Sequence, residues 1–131
     1  MTNDSAPPPV KTFVHTTADG LKLTGDAHGN SDDPPVVFLH GGGQTRHAWG
    51  GAARALAQQG MYAITMDLRG HGESDWDEAG DYSIDSFAAD LAHLANSLSQ
   101  PPAVVGASLG GMTGLVTAGR IAPESVTALV L

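Results

Sequence analysis

The sequence predicts an α/β domain of three layers, with helices on both faces of a mostly parallel sheet. Two observations carry this. After an opening pair of strand-like runs, strand-length apolar runs alternate with segments of helical periodicity, and such alternation builds parallel sheets through right-handed crossovers. The runs from Val36 onward are also apolar without polar alternation, as strands covered on both faces are. With 131 residues, 41% hydrophobic and 15% charged, the chain is long enough for one domain with a real core.

Residues 1–9 (MTNDSAPPP) are polar and proline-rich and read as a disordered tail, leaving residues 10–131 as the domain. Val10 to Thr17 and Leu21 to Ala27 read as an antiparallel pair, because the Asp19-Gly20 step between them suits a tight hairpin turn. Val36 to Leu39 should be a central strand. From Arg46 to Gln59 the apolar residues Trp49, Ala52, Ala53 and Leu56 recur at helical spacing, and Gly60 is placed to close the helix. Met61 to Met66 is the next buried strand, followed by a polar, glycine-punctuated loop from Asp67 to Asp81. Ser83 is an N-cap for a helix whose Ile84, Phe87, Leu91, Leu94 and Leu98 share one face, with Asp85, Asp90 and Asn96 off it, and which Pro101-Pro102 ends. A strand at Ala103 to Val105, a helix from Leu109 to Ala122 stopped by Pro123, and a strand at Val126 to Leu131 complete the order. The last apolar run has no turn or polar tail after it, so the chain is expected to be a piece of a longer protein, truncated after its sixth strand.

Composition narrows the chemistry. A net charge of -8 with only 6 Lys and Arg argues against a nucleic-acid partner, because phosphate binding needs clustered cations. Without cysteine there is no disulfide and no thiolate metal site, and a structural metal is not expected. No apolar run approaches membrane-spanning length, and the N-terminus lacks the apolar centre of a signal peptide, so a cytoplasmic protein with no membrane partner is expected.

Two glycine-rich turns follow predicted strands, His40-Gly41-Gly42-Gly43-Gln44 and Gly106-Ala107-Ser108-Leu109-Gly110. Ligands of open parallel sheets bind outside the carboxyl ends of the strands. In the second turn, small residues around Ser108 let the backbone lift the hydroxyl clear, and the following helix aims its N-terminal amides at the same point. If the two strands are neighbours, the amides of Gly42 and Leu109 can converge beside Ser108 as an oxyanion hole. A phosphate cradle is a poorer reading of the first turn. No Lys-Ser or Lys-Thr pair follows it, and Arg46 holds the place of the third glycine of a dinucleotide fingerprint. Asp75, Asp77, Glu78 and Asp81 do not make a calcium loop, since Ala79 breaks the pattern and Ser86 stands where its closing glutamate belongs.

These two turns, together with Asp67-Leu68-Arg69-Gly70-His71-Gly72-Glu73-Ser74, resemble the N-terminal half of an α/β-hydrolase, in that family's order and on its elements. The resemblance is nearest to the single-domain branch with haloperoxidase-like and epoxide-hydrolase-like members. It implies the sheet order 1-2-4-3-5-6, Ser108 as nucleophile, Gly42 and Leu109 as oxyanion donors, a small-molecule ester, thioester or similar carbonyl substrate, and no cofactor. Epoxide hydrolases carry an aspartate where this chain has Ser108, which disfavours their alkyl-enzyme chemistry. The family places its acid and histidine after the serine. Here no histidine follows Ser108, and Glu124 is the only acid that does. His40 reads as a supporting residue and His71 as a loop residue, while His15, His28, His47 and His93 read as surface or structural. The expected protein is a serine-dependent hydrolase whose present stretch is by itself inactive and prone to aggregate. The alternatives are acyl transfer or perhydrolysis on the same site, and a binding module that has dispensed with the base.

Overall fold

The computed structural model describes residues 8–131. Of the expected tail, residues 1–7 lie outside the described residues. Pro9 is already tied to the sheet, its carbonyl accepting a 2.9 Å hydrogen bond from Gly29 N–H.

Six strands form one sheet: β1 (Val10–Thr16), β2 (Lys22–His28), β3 (Pro35–Leu39), β4 (Tyr62–Met66), β5 (Ala103–Gly106) and β6 (Ala128–Val130). Their order is β1-β2-β4-β3-β5-β6, with β1 and β2 antiparallel to their neighbours and the β4-β3-β5-β6 portion parallel. The centre is β3, buried at every residue. Its alternate side chains serve two cores, as the pleat requires. Val36 and Phe38 pack with Ala53, Leu56 and Trp49 on one face, whereas Val37 and Leu39 pack with Ile64, Phe87, Leu91 and Leu94 on the other.

The helices differ from expectation in instructive ways. The first begins as a 3-10 turn at Arg46–Trp49 before α1 (Gly50–Gln58), and Asp67 accepts the Arg46 N–H that the start of a helix leaves without an internal partner. The buried stripe falls on Ala53 and Ala57, and Ala52 is exposed. Helix α2 (Ile84–Asn96) is capped by Ser83, whose hydroxyl accepts from Ser86 N–H. It stops before the prolines: Ser97 Oγ donates to the Leu94 carbonyl at 2.6 Å and closes the last turn. Helix α3 (Leu109–Val116) passes into a π-helical turn at Thr117–Ile121 instead of continuing to Ala122. There the buried Thr117 hydroxyl donates to Thr113 O at 2.8 Å and Ala88 O at 3.2 Å, competing with the backbone for the Thr113 carbonyl. The final strand is shorter than Val126 to Leu131, because Thr127 N–H is taken by the Pro102 carbonyl before pairing with β5 begins at Ala128. Among the described residues no helix is long and apolar enough to cross a membrane.

Candidate functional site

Ser108 stands between β5 and α3 with φ 54° and ψ −114°, the one non-glycine residue with positive φ among those described. A side-chain-bearing residue held there costs roughly 1–3 kcal/mol and persists only where its surroundings enforce it. The enforcement comes from two flanking glycines. A Cβ on Gly110 would lie 2.2 Å from the Leu39 carbonyl oxygen, and one on Gly106 would lie 2.4 Å from the Gly110 oxygen. Both contacts are with backbone, so the start of α3 packs on the end of β5 and on Leu39 of β3 at distances that only glycine allows. Ser108 itself is exposed, and its hydroxyl has no hydrogen-bond partner among the described residues.

The turn after β3 lies alongside. Because β3 and β5 are neighbours, Leu39 is in register with Gly106. The loops are also joined by Ala107 N–H to Leu39 O at 3.3 Å and Gly110 N–H to His40 O at 3.1 Å. Gly41 and Gln44 lock the first loop reciprocally. Gly41 N–H donates to Gln44 Oε1 at 3.0 Å and Gln44 N–H to Gly41 O at 3.1 Å. A Cβ built on Gly41 would touch Ser108 Cβ at 3.6 Å, which sets the two turns in van der Waals contact. Gly42 is exposed at the tip of this loop. Neither its N–H nor that of Leu109, the first residue of α3, has an acceptor among the described residues. The two amides and the Ser108 hydroxyl are thus all uncommitted among the described residues.

His40 is fully buried with both ring nitrogens used. Nε2 accepts from Leu68 N–H at 3.0 Å, so it carries no proton, and Nδ1–H donates to the Gly41 carbonyl at 2.8 Å. The imidazole is a neutral strut between the first loop and the end of β4. His71 packs against it with ring centroids 5.0 Å apart and donates Nδ1–H to the Arg69 carbonyl. Neither histidine is hydrogen-bonded to Ser108. Elsewhere His28 is buried in β2, while the rings of His15 and His93 meet at 2.9 Å between β1 and α2.

Burial holds His40 below its ordinary pKa of 6.5 against the opposing pull of the Gly41 carbonyl, and it lowers His15 and His28 too. A histidine whose folded pKa is depressed is protonated first in the unfolded chain. Stability is then highest above pH 6.5 and declines as the pH falls below it. We expect the melting temperature to hold between about pH 8 and 7 and to drop steadily below about 6.5. A flat profile across that lower window would contradict the neutral strut.

The loop after β4 is organised by two buried arginines, Arg69 within the Asp67 to Ser74 motif and Arg46, whose part sequence reading missed. Arg46 reaches Asp67 at 2.6 Å, Glu73 at 2.6 Å and Asp26 at 3.0 Å. Arg69 forms a two-pronged pair with Asp90, both contacts 2.7 Å, and reaches Asp19 at 3.1 Å. The partners are 20 or more residues apart, beyond the reach of helical or strand periodicity. Asp90, off the apolar face as expected, is nevertheless buried. Asp77 and Asp81 accept from nearby backbone N–H groups, and among the described residues no cluster of acids and histidines could hold a metal ion.

Beside the Ser108 turn opens a hollow of about 470 Å³ whose walls include His71, Trp76, Tyr82, Phe87 and Leu109. Of these, only Leu109 belonged to the expected site. The lone exposed tryptophan in a polar loop was the signal that could have pointed to it.

Comparison with known proteins agrees with this fold. Residues 34–131 match the family described as alpha/beta hydrolase fold. An esterase of Mycobacterium tuberculosis is 44% identical over 100 residues, which are 75% of this chain and 32% of the esterase. A non-heme chloroperoxidase of Kitasatospora aureofaciens is 36% identical over 101 residues, 75% of this chain and 35% of that protein. The crystal structure of an epoxide hydrolase from Vigna radiata superposes with a TM-score of 0.84 at 26% identity, covering 92% of this chain and 39% of that one. The chain thus spans about a third of the length of the curated relatives it matches.

Proposed function

From the chain's membership of the α/β-hydrolase fold family, we propose that it carries the nucleophile and oxyanion hole of a serine hydrolase acting on ester, thioester or similar small carbonyl compounds. Ser108 Oγ attacks the carbonyl carbon, and the oxygen of the tetrahedral intermediate is held by the Gly42 and Leu109 amides. Collapse of the intermediate expels the alcohol or thiol and leaves an acyl group on Ser108, which water then removes. The observation that carries this reading is the backbone of Ser108, φ 54° and ψ −114°, at the head of α3 and against the Gly41 turn. Likeness to an esterase supports the substrate class.

We assign the proton acceptor to a residue other than His40. His40 has both nitrogens engaged by backbone, and no histidine follows Ser108. Loss of the serine or histidine of such a unit costs about 10⁶ in turnover in a well-studied protease. The test is treatment of the full-length protein with a serine-directed phosphonate, followed by peptide mass analysis. The expected result is one adduct, on Ser108, absent in Ser108→Ala. Labelling elsewhere, or no labelling at all, would overturn the assignment and favour a binding module.

A further inference from the structure

We propose that Gln44 is a positioning residue for the reaction at Ser108: its backbone and side chain together fix the Gly41-Gly42 peptide, so that the Gly42 N–H is the amide the first loop offers to the substrate oxygen. The inference rests on Ser108 and Gly42 in the roles proposed above and adds the residue that sets one of the two oxyanion donors.

Three consecutive glycines, Gly41 to Gly43, carry no side chains to bias their backbone, so the direction of an amide among them has to be imposed by neighbours. Gln44 imposes it twice. Its N–H donates to the Gly41 carbonyl at 3.1 Å and closes a four-residue turn from Gly41 to Gln44. Gly43, at φ 79°, supplies the positive angle that a type II turn needs at its third residue. In a trans peptide the C=O and N–H point in opposite directions. The Gly41 carbonyl is turned onto Gln44 N–H and onto His40 Nδ1–H, the latter at 2.8 Å. The Gly42 N–H of the same peptide therefore faces away from the turn.

The side chain completes the clamp. Gly41 N–H donates to Gln44 Oε1 at 3.0 Å, which withdraws this buried amide from the donors open to a ligand and leaves the neighbouring Gly42 N–H free. A Cβ placed on Gly41 would lie 3.0 Å from Gln44 Oε1 and 3.6 Å from Ser108 Cβ, so the carboxamide and the nucleophile's residue bear on the same edge of the loop. Among the described residues only Gln44 holds both the N–H and the carbonyl of Gly41.

The test follows Ser108 labelling in the full-length protein by ethyl 4-nitrophenyl methylphosphonate and by its phosphonothioate, in which sulfur replaces the oxygen that the amides hold. Sulfur is a weak acceptor. The parent protein should therefore prefer the oxygen reagent by more than hydroxide in water does. Gln44→Met, similar in length but without the acceptor, should reduce that preference about threefold or more, as expected when one oxyanion donor is displaced rather than deleted. A change in the folded fraction slows both reagents equally and leaves the ratio unmoved. Gln44→Glu keeps an acceptor for Gly41 N–H and should keep the parent ratio, although its charge slows both reagents. Gln44→Asn, one methylene too short for the clamp, is the second variant and should follow Gln44→Met. An unchanged ratio in Gln44→Met or Gln44→Asn, a ratio in Gln44→Glu as low as theirs, or failure of both clamp-less variants to fold would each overturn the inference while leaving Ser108 as nucleophile. A parent ratio no greater than that of hydroxide removes the oxyanion hole and the role of Gln44 with it. Absence of labelling of the parent by either reagent overturns the nucleophile assignment as well.

Discussion

Gly110→Ala is expected to destabilise the protein by roughly 3 kcal/mol or more, far beyond the small cost or gain of a glycine-to-alanine change in an open helix. The added methyl would meet the Leu39 oxygen at 2.2 Å, the Leu39 carbon at 2.6 Å and the His40 oxygen at 2.8 Å. All three are backbone atoms of the central strand and the turn after it, so no rotamer change relieves the contact. The first turn of α3 would have to move away from β3, breaking the 3.1 Å bond from Gly110 N–H to His40 O. Because that bond also sets Leu109 beside the Gly42 loop, Ser108 labelling should fall with stability. Thermal unfolding monitored by circular dichroism gives the first number, and the phosphonate rate gives the second. Gly51→Ala, in α1 with nothing within 4 Å of the new methyl, is the control expected to unfold at close to the parent temperature.

Asp67→Asn should be nearly as damaging, with a loss of about 3 kcal/mol, at the lower end of what breaking a buried ion pair costs. The Asp67 carboxylate is wholly buried and accepts from Arg46 N–H, from the Arg46 guanidinium and from Glu73 N–H, at 2.6, 2.6 and 3.0 Å. Its removal leaves a buried cation with only Asp26 and the largely exposed Glu73. A second change, Arg46→Met, should recover part of the loss, because the penalty arises from the unpaired charge more than from the missing bond. Chemical denaturation of both single variants and the double variant measures that coupling. Strictly additive losses would show that the pair is not energetically linked.

The elements whose cause is local were legible in the sequence. Ser83 caps α2 through its own hydroxyl, Val36 to Leu39 form the central strand because every side chain is apolar, and Gly106 and Gly110 mark the turn that Ser108 occupies. Interactions set by tertiary placement were not. Arg46 looked like an ordinary first helical residue, yet its partners sit on β2 and in the loop after β4. Asp90 obeyed the periodicity of a solvent-facing residue and is instead buried against Arg69, 21 positions away. The early end of α2 and the π-helical turn at Thr117 come from serine and threonine hydroxyls taking backbone carbonyls, which weakens the pull of the downstream prolines as helix stops. Of the site, the two turns were visible because glycine punctuates them. The aromatic hollow was not, because Trp76, Tyr82 and Phe87 are brought to Leu109 only by the folded path of the loop after β4.

The convergence of Ser108, Gly42 and Leu109 on one point is tested most directly by a crystal structure of the phosphonate adduct of the full-length protein. The account predicts phosphorus bonded to Ser108 Oγ, with its non-ester oxygen accepting from the Gly42 and Leu109 amides at about 2.7–3.1 Å. An adduct whose oxygen turns to solvent, or is held by neither amide, would contradict it.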